Sequence, residues 1–152
     1  MKIFIGGDHA GFALKTALIS FLKELHHEVV DKGDFAPVPQ DDYPKYIGAV
    51  AEEVSKNPNT RGIVIGGSGE GEAIAANKFP RVRAAEYYGG ALDIIRLSRE
   101  HNDANVLSLG ARFIKEAEAK EAVKLWLATP FSGEERHRRR IEEIERLKTN
   151  RP

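Results

Sequence analysis

Short apolar runs alternate with longer amphipathic ones along the chain. "KIFI" at 2–5 predicts a buried strand, and in the following "FALKTALISFLKEL" Leu14, Leu18, Phe21, Leu22 and Leu25 recur at helical spacing. The pattern then repeats. "EVVD" at 28–31 is a second strand, and Tyr46, Ile47, Val50, Ala51 and Val54 line one face of a second helix. "GIVI" at 62–65 is the third strand, with a short helix opening at "EAIAANK" after a glycine-rich turn. "VRAAEYY" at 82–88 with "ALDIIRLSRE" at 91–100, and "VLSLG" at 106–110 with "IKEAEAKEAVKLWLA" at 114–128, complete five strand–helix pairs. Five strands each followed by a helix call for a parallel sheet covered on both faces, an α/β, doubly wound, Rossmann-like fold.

Two segments stand outside the alternation. "DFAPVPQDDYPKY" at 34–46 carries three prolines and is expected to be a stiff loop. After Pro130, Ser132 and Gly133, "EERHRRRIEEIERLK" predicts a sixth helix, with Ile141, Ile144 and Leu147 on one face. That face needs something to pack against, and a partner subunit packed on residues 132–148 would supply it.

A length of 152 residues suits one domain with a real core. Lys plus Arg total 23 and Asp plus Glu total 23, so no long-range field favours nucleic acid or an anionic membrane. The absence of cysteine removes disulfides, thiolate metal sites and a cysteine nucleophile together. The opening "MKIFIGGDHAGF" does not have the make-up of a signal peptide, and no apolar run approaches the length of a membrane span. The expectation is a cytoplasmic protein.

In open parallel sheets ligands bind beyond the carboxyl ends of the strands. Asp8 and His9 follow strand one, "GGSGEGE" at 66–72 follows strand three, His101 and Asn102 precede strand five, and Arg112 follows it. The glycine turn lacks the Gly-Lys pair of a P-loop and the spacing of a dinucleotide fingerprint, and its carboxylates would repel a polyphosphate. What it offers is a strand passing into a helix with unpaired backbone N–H groups, where negative charge is stabilised. Glu72 at the start of that helix places a carboxylate base beside a potential oxyanion hole. The plainer reading makes Ser68 and Glu72 helix caps, but a capping box is S-x-x-E and their spacing is one residue too long, which leaves a residue such as Gly69 as the N-cap.

The cluster "RHRRR" at 136–140 has a plain reading as a solvated helix face. Arg136 and Arg140, four apart on one side of a helix, also suit a single small phosphate. His9 and His101 sit at loops near one sheet edge, whereas His26 and His27 are expected at the surface. A receiver domain would also carry an acid after strand one. It would need a phosphoacceptor aspartate after strand three, where this chain has Gly66 and Gly67.

"GGDHAGFALK", "DYP", "GGSGEGEAIAANK", "SREHNDANVLSLGAR" and "RHRRR", in this order, resemble the motifs of type B ribose-5-phosphate isomerases, in the family shared with galactose- and allose-phosphate isomerases. The resemblance runs from about residue 3 to about residue 145. It implies an aldose–ketose isomerase needing no metal or other cofactor, acting through a cis-enediolate on a phosphorylated sugar. It also implies a homodimer or tetramer with active sites built from two subunits. Some members place a cysteine base where this chain has Gly66 and others a glutamate where it has Glu72, so Glu72 is the base this sequence allows. By the same resemblance Ser68 and the N–H groups of Gly69, Glu70 and Gly71, next to Gly67, hold the enediolate oxygen, with Asn102 assisting across the subunit boundary. His101 or Asp8 opens the sugar ring. His9, Arg112, Arg136 and Arg140 bind the phosphate, and Tyr43 lines the site. Glu70 departs from the neutral residue common at its position and adds a carboxylate near the base. Ribose 5-phosphate is the expected substrate. Another aldose phosphate (allose 6-phosphate, galactose 6-phosphate or a tetrose phosphate) and a non-catalytic sugar-phosphate binding module are the alternatives.

Overall fold

A computed structural model describes residues 1–149. The order along the chain is β1 (Lys2–Gly7), α1 (Phe12–Glu24), β2 (Glu28–Asp31), α2 (Tyr43–Lys56), β3 (Arg61–Gly66) and α3 (Glu70–Ala76). It continues with β4 (Ala84–Tyr87), α4 (Asp93–Glu100), β5 (Val106–Gly110), α5 (Glu116–Ala128) and α6 (Glu135–Thr149). The strands form one parallel sheet in the order β2-β1-β3-β5-β4. The doubly wound α/β expectation is met.

Side chains alternate across a strand with period two, and that alternation divides the core into two layers. Ile3, Ile5, Ile63, Ile65, Leu107 and Leu109 point to one face, where Leu14, Leu18 and Leu22 of α1, Ile95 of α4, and Val123 and Trp126 of α5 cover them. Phe4, Val64 and Val106 point to the other, against Ile47, Val50, Ala51 and Val54 of α2 and Ala76 of α3. Each fully buried aliphatic side chain contributes roughly 1.5–3 kcal/mol. The register follows from this pattern, because a one-residue slip would exchange the two layers.

The chain winds from β1 outward to β2, then returns to place β3 on the other side of β1. The reversal leaves a crevice beyond the carboxyl ends of β1 and β3. Asp8, His9 and the glycine turn all emerge there.

One boundary differs from the sequence reading. Helix α2 starts at Tyr43, inside the segment expected to be a loop, with Asp42 as N-cap and Pro44 in the first turn. A proline there sacrifices no helical hydrogen bond, so three prolines did not mark loop to the end. Helix α6 is also less detached than expected. Its His137 is buried, with Nδ1 2.8 Å from the Ser132 hydroxyl, and Glu145 accepts from the Arg81 backbone N–H at 3.2 Å and pairs with Arg83 at 3.5 Å. The helix therefore rests on its own chain, while Ile144 and Leu147 stay 42% and 71% exposed. No described helix is long and apolar enough to cross a membrane.

Candidate active site

Strand β3 ends at Gly66, and the chain turns through Gly67, Ser68 and Gly69 into α3. Gly69 is the N-cap with φ of 89°, the left-handed region that glycine enters without penalty. Taking Gly69 as N-cap makes Glu72 the third residue of the helix. Its carboxylate lies near enough to the N–H groups of Gly69 and of Glu72 itself for both to favour its ionised form. This is the position a capping-box glutamate takes, with glycine in place of serine at the N-cap, which counting from Ser68 does not reveal. The Ser68 hydroxyl instead accepts the Glu70 N–H at 3.3 Å.

Capping does not exhaust what Glu72 does. The residue is 4% exposed, and its carboxylate lies directly over Gly66, where a methyl group would come 2.0 Å from Oε1. Burial holds the Glu72 carboxyl above its ordinary pKa, and the Asp8 charge pushes it further, against the two N–H groups that favour ionisation. A raised carboxyl in a crevice is the condition a general base needs. The like charge that acts on Glu72 is thus Asp8. Exposed Glu70 acts on Glu86 of β4, which burial and then the Glu70 and Glu72 charges raise.

Around this carboxylate stand four of the expected residues. Asp8 is buried, and its Oδ1 accepts the N–H groups of Ala10 and Gly11 at 3.0 and 3.1 Å, fixing the turn into α1. A methyl on Gly71 would sit 2.6 Å from the Tyr43 hydroxyl, and one on Gly67 would sit 3.2 Å from the Arg112 guanidinium. Arg112 is held there because its N–H donates to Gly67 O at 3.0 Å. His9 lies between Asp8, Asp41 and Arg112, and its pKa is raised chiefly by the hydrogen bond to Asp41.

Asp8, His9 and Asp41 bring three potential ligand atoms within 4.8 Å of one another. The His9 ring nitrogen and the Asp41 carboxylate already engage each other at 2.5 Å, the arrangement of an ion pair rather than of a metal cage.

The remaining expected residues form a second group. His101 is the C-cap of α4, with its ring centroid 4.3 Å from that of His137, and Asn102 follows in a groove lined by Arg83, Ala84 and Ile144. Arg136 and Arg140 are exposed on the first turns of α6, with Arg136 paired to Glu134 at 2.8 Å. The charges that act on His137 come from His101, Arg136, Glu134 and Arg140, which sets these side chains together.

Sequence reasoning missed Ser108. Fully buried in β5, it donates its hydroxyl to Gly69 O at 2.6 Å, clamping the turn to the sheet. A polar residue inside "VLSLG" was the available signal. Because Gly69 O also accepts the Ala73 N–H, Ser108→Ala is expected to cost about 1 kcal/mol in a denaturant titration. It should also lower kcat by loosening the turn.

The ribose/galactose isomerase family matches residues 3–144. This chain belongs to that family. It is 42% identical over 142 residues to ribose-5-phosphate isomerase B of Mycobacterium tuberculosis, covering 93% of this chain and 86% of that one. It is 40% identical to the enzyme of the same name from Escherichia coli, over 99% and 98% of the two chains. Among solved structures, ribose-5-phosphate isomerase B of Mycoplasma genitalium with bound ribulose-5-phosphate superposes with a TM-score of 0.93 at 38% identity, covering 99% of this chain and 97% of that one. The Clostridium thermocellum homologue gives 0.92 at 43% identity, with 98% of each chain covered. The family places the chain among the isomerases.

Proposed function

We propose that the chain interconverts ribose 5-phosphate and ribulose 5-phosphate without a metal, through a cis-enediolate, with Glu72 as the base. The observation that carries this reading is the buried Glu72 carboxylate seated on Gly66 at the crevice of the sheet, its pKa raised by burial and by Asp8. Glu72 takes the proton from C2 of the open sugar and returns it to C1, so one group serves as base and then as acid. The developing enediolate oxygen is met by the Ser68 hydroxyl and the Gly71 N–H in the first turn of α3, the Glu70 N–H being engaged by Ser68 Oγ. Tyr43 closes one side, and His9 and Arg112 hold the phosphate.

Ring opening, Asn102 assistance and the remaining phosphate contacts, Arg136 and Arg140, fall to the other group. His101 stands beside His137 and Arg136 in that group, and the site is completed when a second copy of the chain brings its own His101, Asn102, Arg136 and Arg140 to the crevice. Exposed Ile144 and Leu147 on α6 and Ile74 on α3 favour such an assembly. Asp8 is the alternative ring opener, but its Oδ1 is engaged by two N–H groups, which favours His101.

The test is conversion of ribose 5-phosphate in EDTA, run in D2O with the C2 position followed by NMR. Turnover with solvent exchange at C2 is expected. Binding without exchange would overturn catalysis in favour of a sugar-phosphate binding module. Inertness toward ribose 5-phosphate with turnover of an allose, galactose or tetrose phosphate would move the substrate.

A further inference from the structure

The loop from 34 to 42 closes over the end of β1 and delivers one side chain that the mechanism above leaves unused. Asp34 is buried and accepts the N–H groups of Ala36 at 3.3 Å and Val38 at 3.2 Å, and the Asp41 N–H bonds to Val38 O at 3.2 Å. These bonds fix the path of the loop. At its far end Asp41, with a side chain only 5% exposed, receives the His9 backbone N–H at 3.1 Å and faces the His9 Nδ1 at 2.5 Å. An ionised carboxylate so placed can only accept, which puts the proton of this contact on Nδ1.

We propose that Asp41 is a positioning residue for phosphate recognition: by engaging both Nδ1–H and the main chain of His9, it fixes the imidazole and leaves Nε2 as the ring's second donor, toward the phosphate of the substrate. The proposal rests on the phosphate role assigned to His9 above. A neutral imidazole with its proton on Nδ1 would turn an Nε2 lone pair toward the phosphate, and the contact would be repulsive. The imidazolium donates from both nitrogens. The groups facing His9 are Asp41 from the loop, Asp8 from the end of β1 and Arg112 from beyond β5. Both carboxylates favour the imidazolium, while Arg112 opposes it. Asp41 is the one that also fixes the ring.

The experiment compares wild type, Asp41→Asn, His9→Gln and the double variant. Phosphate affinity is measured with inorganic phosphate by calorimetry, the His9 imidazole is titrated by NMR, and KM and kcat for ribose 5-phosphate are followed across pH. Asp41→Asn is expected to lower the His9 pKa, to weaken phosphate binding and raise KM about tenfold near neutral pH, and to reduce kcat far less. Its KM should recover toward wild type as pH falls and His9 regains its proton. Asp41→Glu should restore part of the affinity. In the His9→Gln background, Asp41→Asn should add little, because the two act as one unit.

An unchanged His9 pKa in Asp41→Asn, or equal losses with and without His9, would overturn the proposal. If wild type bound inorganic phosphate but did not turn over the sugar, the isomerase reading would fail while the Asp41–His9 result still stood on titration and affinity. If wild type turned over the sugar and Asp41→Asn matched it in KM at every pH, the Asp41 role alone would fail.

Discussion

Glu72→Gln is expected to reduce kcat for ribose 5-phosphate by about a thousandfold or more, within the range general bases supply. Phosphate-sugar binding should be largely retained, since no phosphate contact is assigned to this side chain. The fold should also hold. A carboxyl whose pKa is raised on folding stabilises the folded state below the unfolded pKa, and that contribution is lost as pH rises through the folded value. Glu72 is such a group, raised by burial first and Asp8 next, so at neutral pH its ionised form works against the fold. The glutamine variant should therefore melt no lower than wild type at pH 7, and the gap should close in acid. A loss of activity accompanied by unfolding would assign Glu72 to structure alone. In wild type, the acid limb of kcat/KM should lie above the ordinary glutamate pKa, because only the ionised carboxylate accepts the C2 proton. An acid limb at or below that value would point to a different base.

Gly66→Ala should lower kcat by a different route and to a smaller extent. A β-carbon at Gly66 meets Glu72 at 2.0 Å from Oε1, 2.1 Å from Cδ and 2.6 Å from Oε2. These atoms are the end of a flexible side chain, so the carboxylate swings away and the backbone of β3 stays in place. Displacing a catalytic group by about 1 Å costs on the order of a hundredfold, and that is the expected fall in kcat with the melting temperature little changed. Retained turnover in Gly66→Ala would show that the base does not act from its seat on Gly66. The same clash means that a side chain at position 66 and the Glu72 carboxylate in its present seat exclude each other.

Much of this site was legible in advance. Asp8, His9, Glu72 and Arg112 converge because each lies shortly after the carboxyl end of a strand, and the strands themselves were readable from apolar runs; Tyr43, at the start of α2, was named only by the family resemblance. Ser108 and Asp41 were not legible. Ser108 matters through one hydrogen bond to a carbonyl 39 residues away. Asp41 matters because a proline-rich loop returns it to His9, 32 residues earlier, and nothing local separates it from Asp42.

The sequence by itself determined the layer architecture, since five apolar runs alternating with amphipathic helices have few other ways to bury their apolar surface. It also determined the chemical inventory of the site: one base candidate in a glycine turn, two histidines at loops and a pair of arginines four apart. The tertiary structure decided the electrostatics. Burial and Asp8, rather than neighbouring Glu70, raise Glu72, and the hydrogen bond to Asp41 is the chief influence that raises His9. It also packed α6 on its own chain, through His137 against His101 and Glu145 against Arg83. These outcomes depend on distances between residues far apart in the chain, and in a low-dielectric crevice a few ångströms decide which charge prevails.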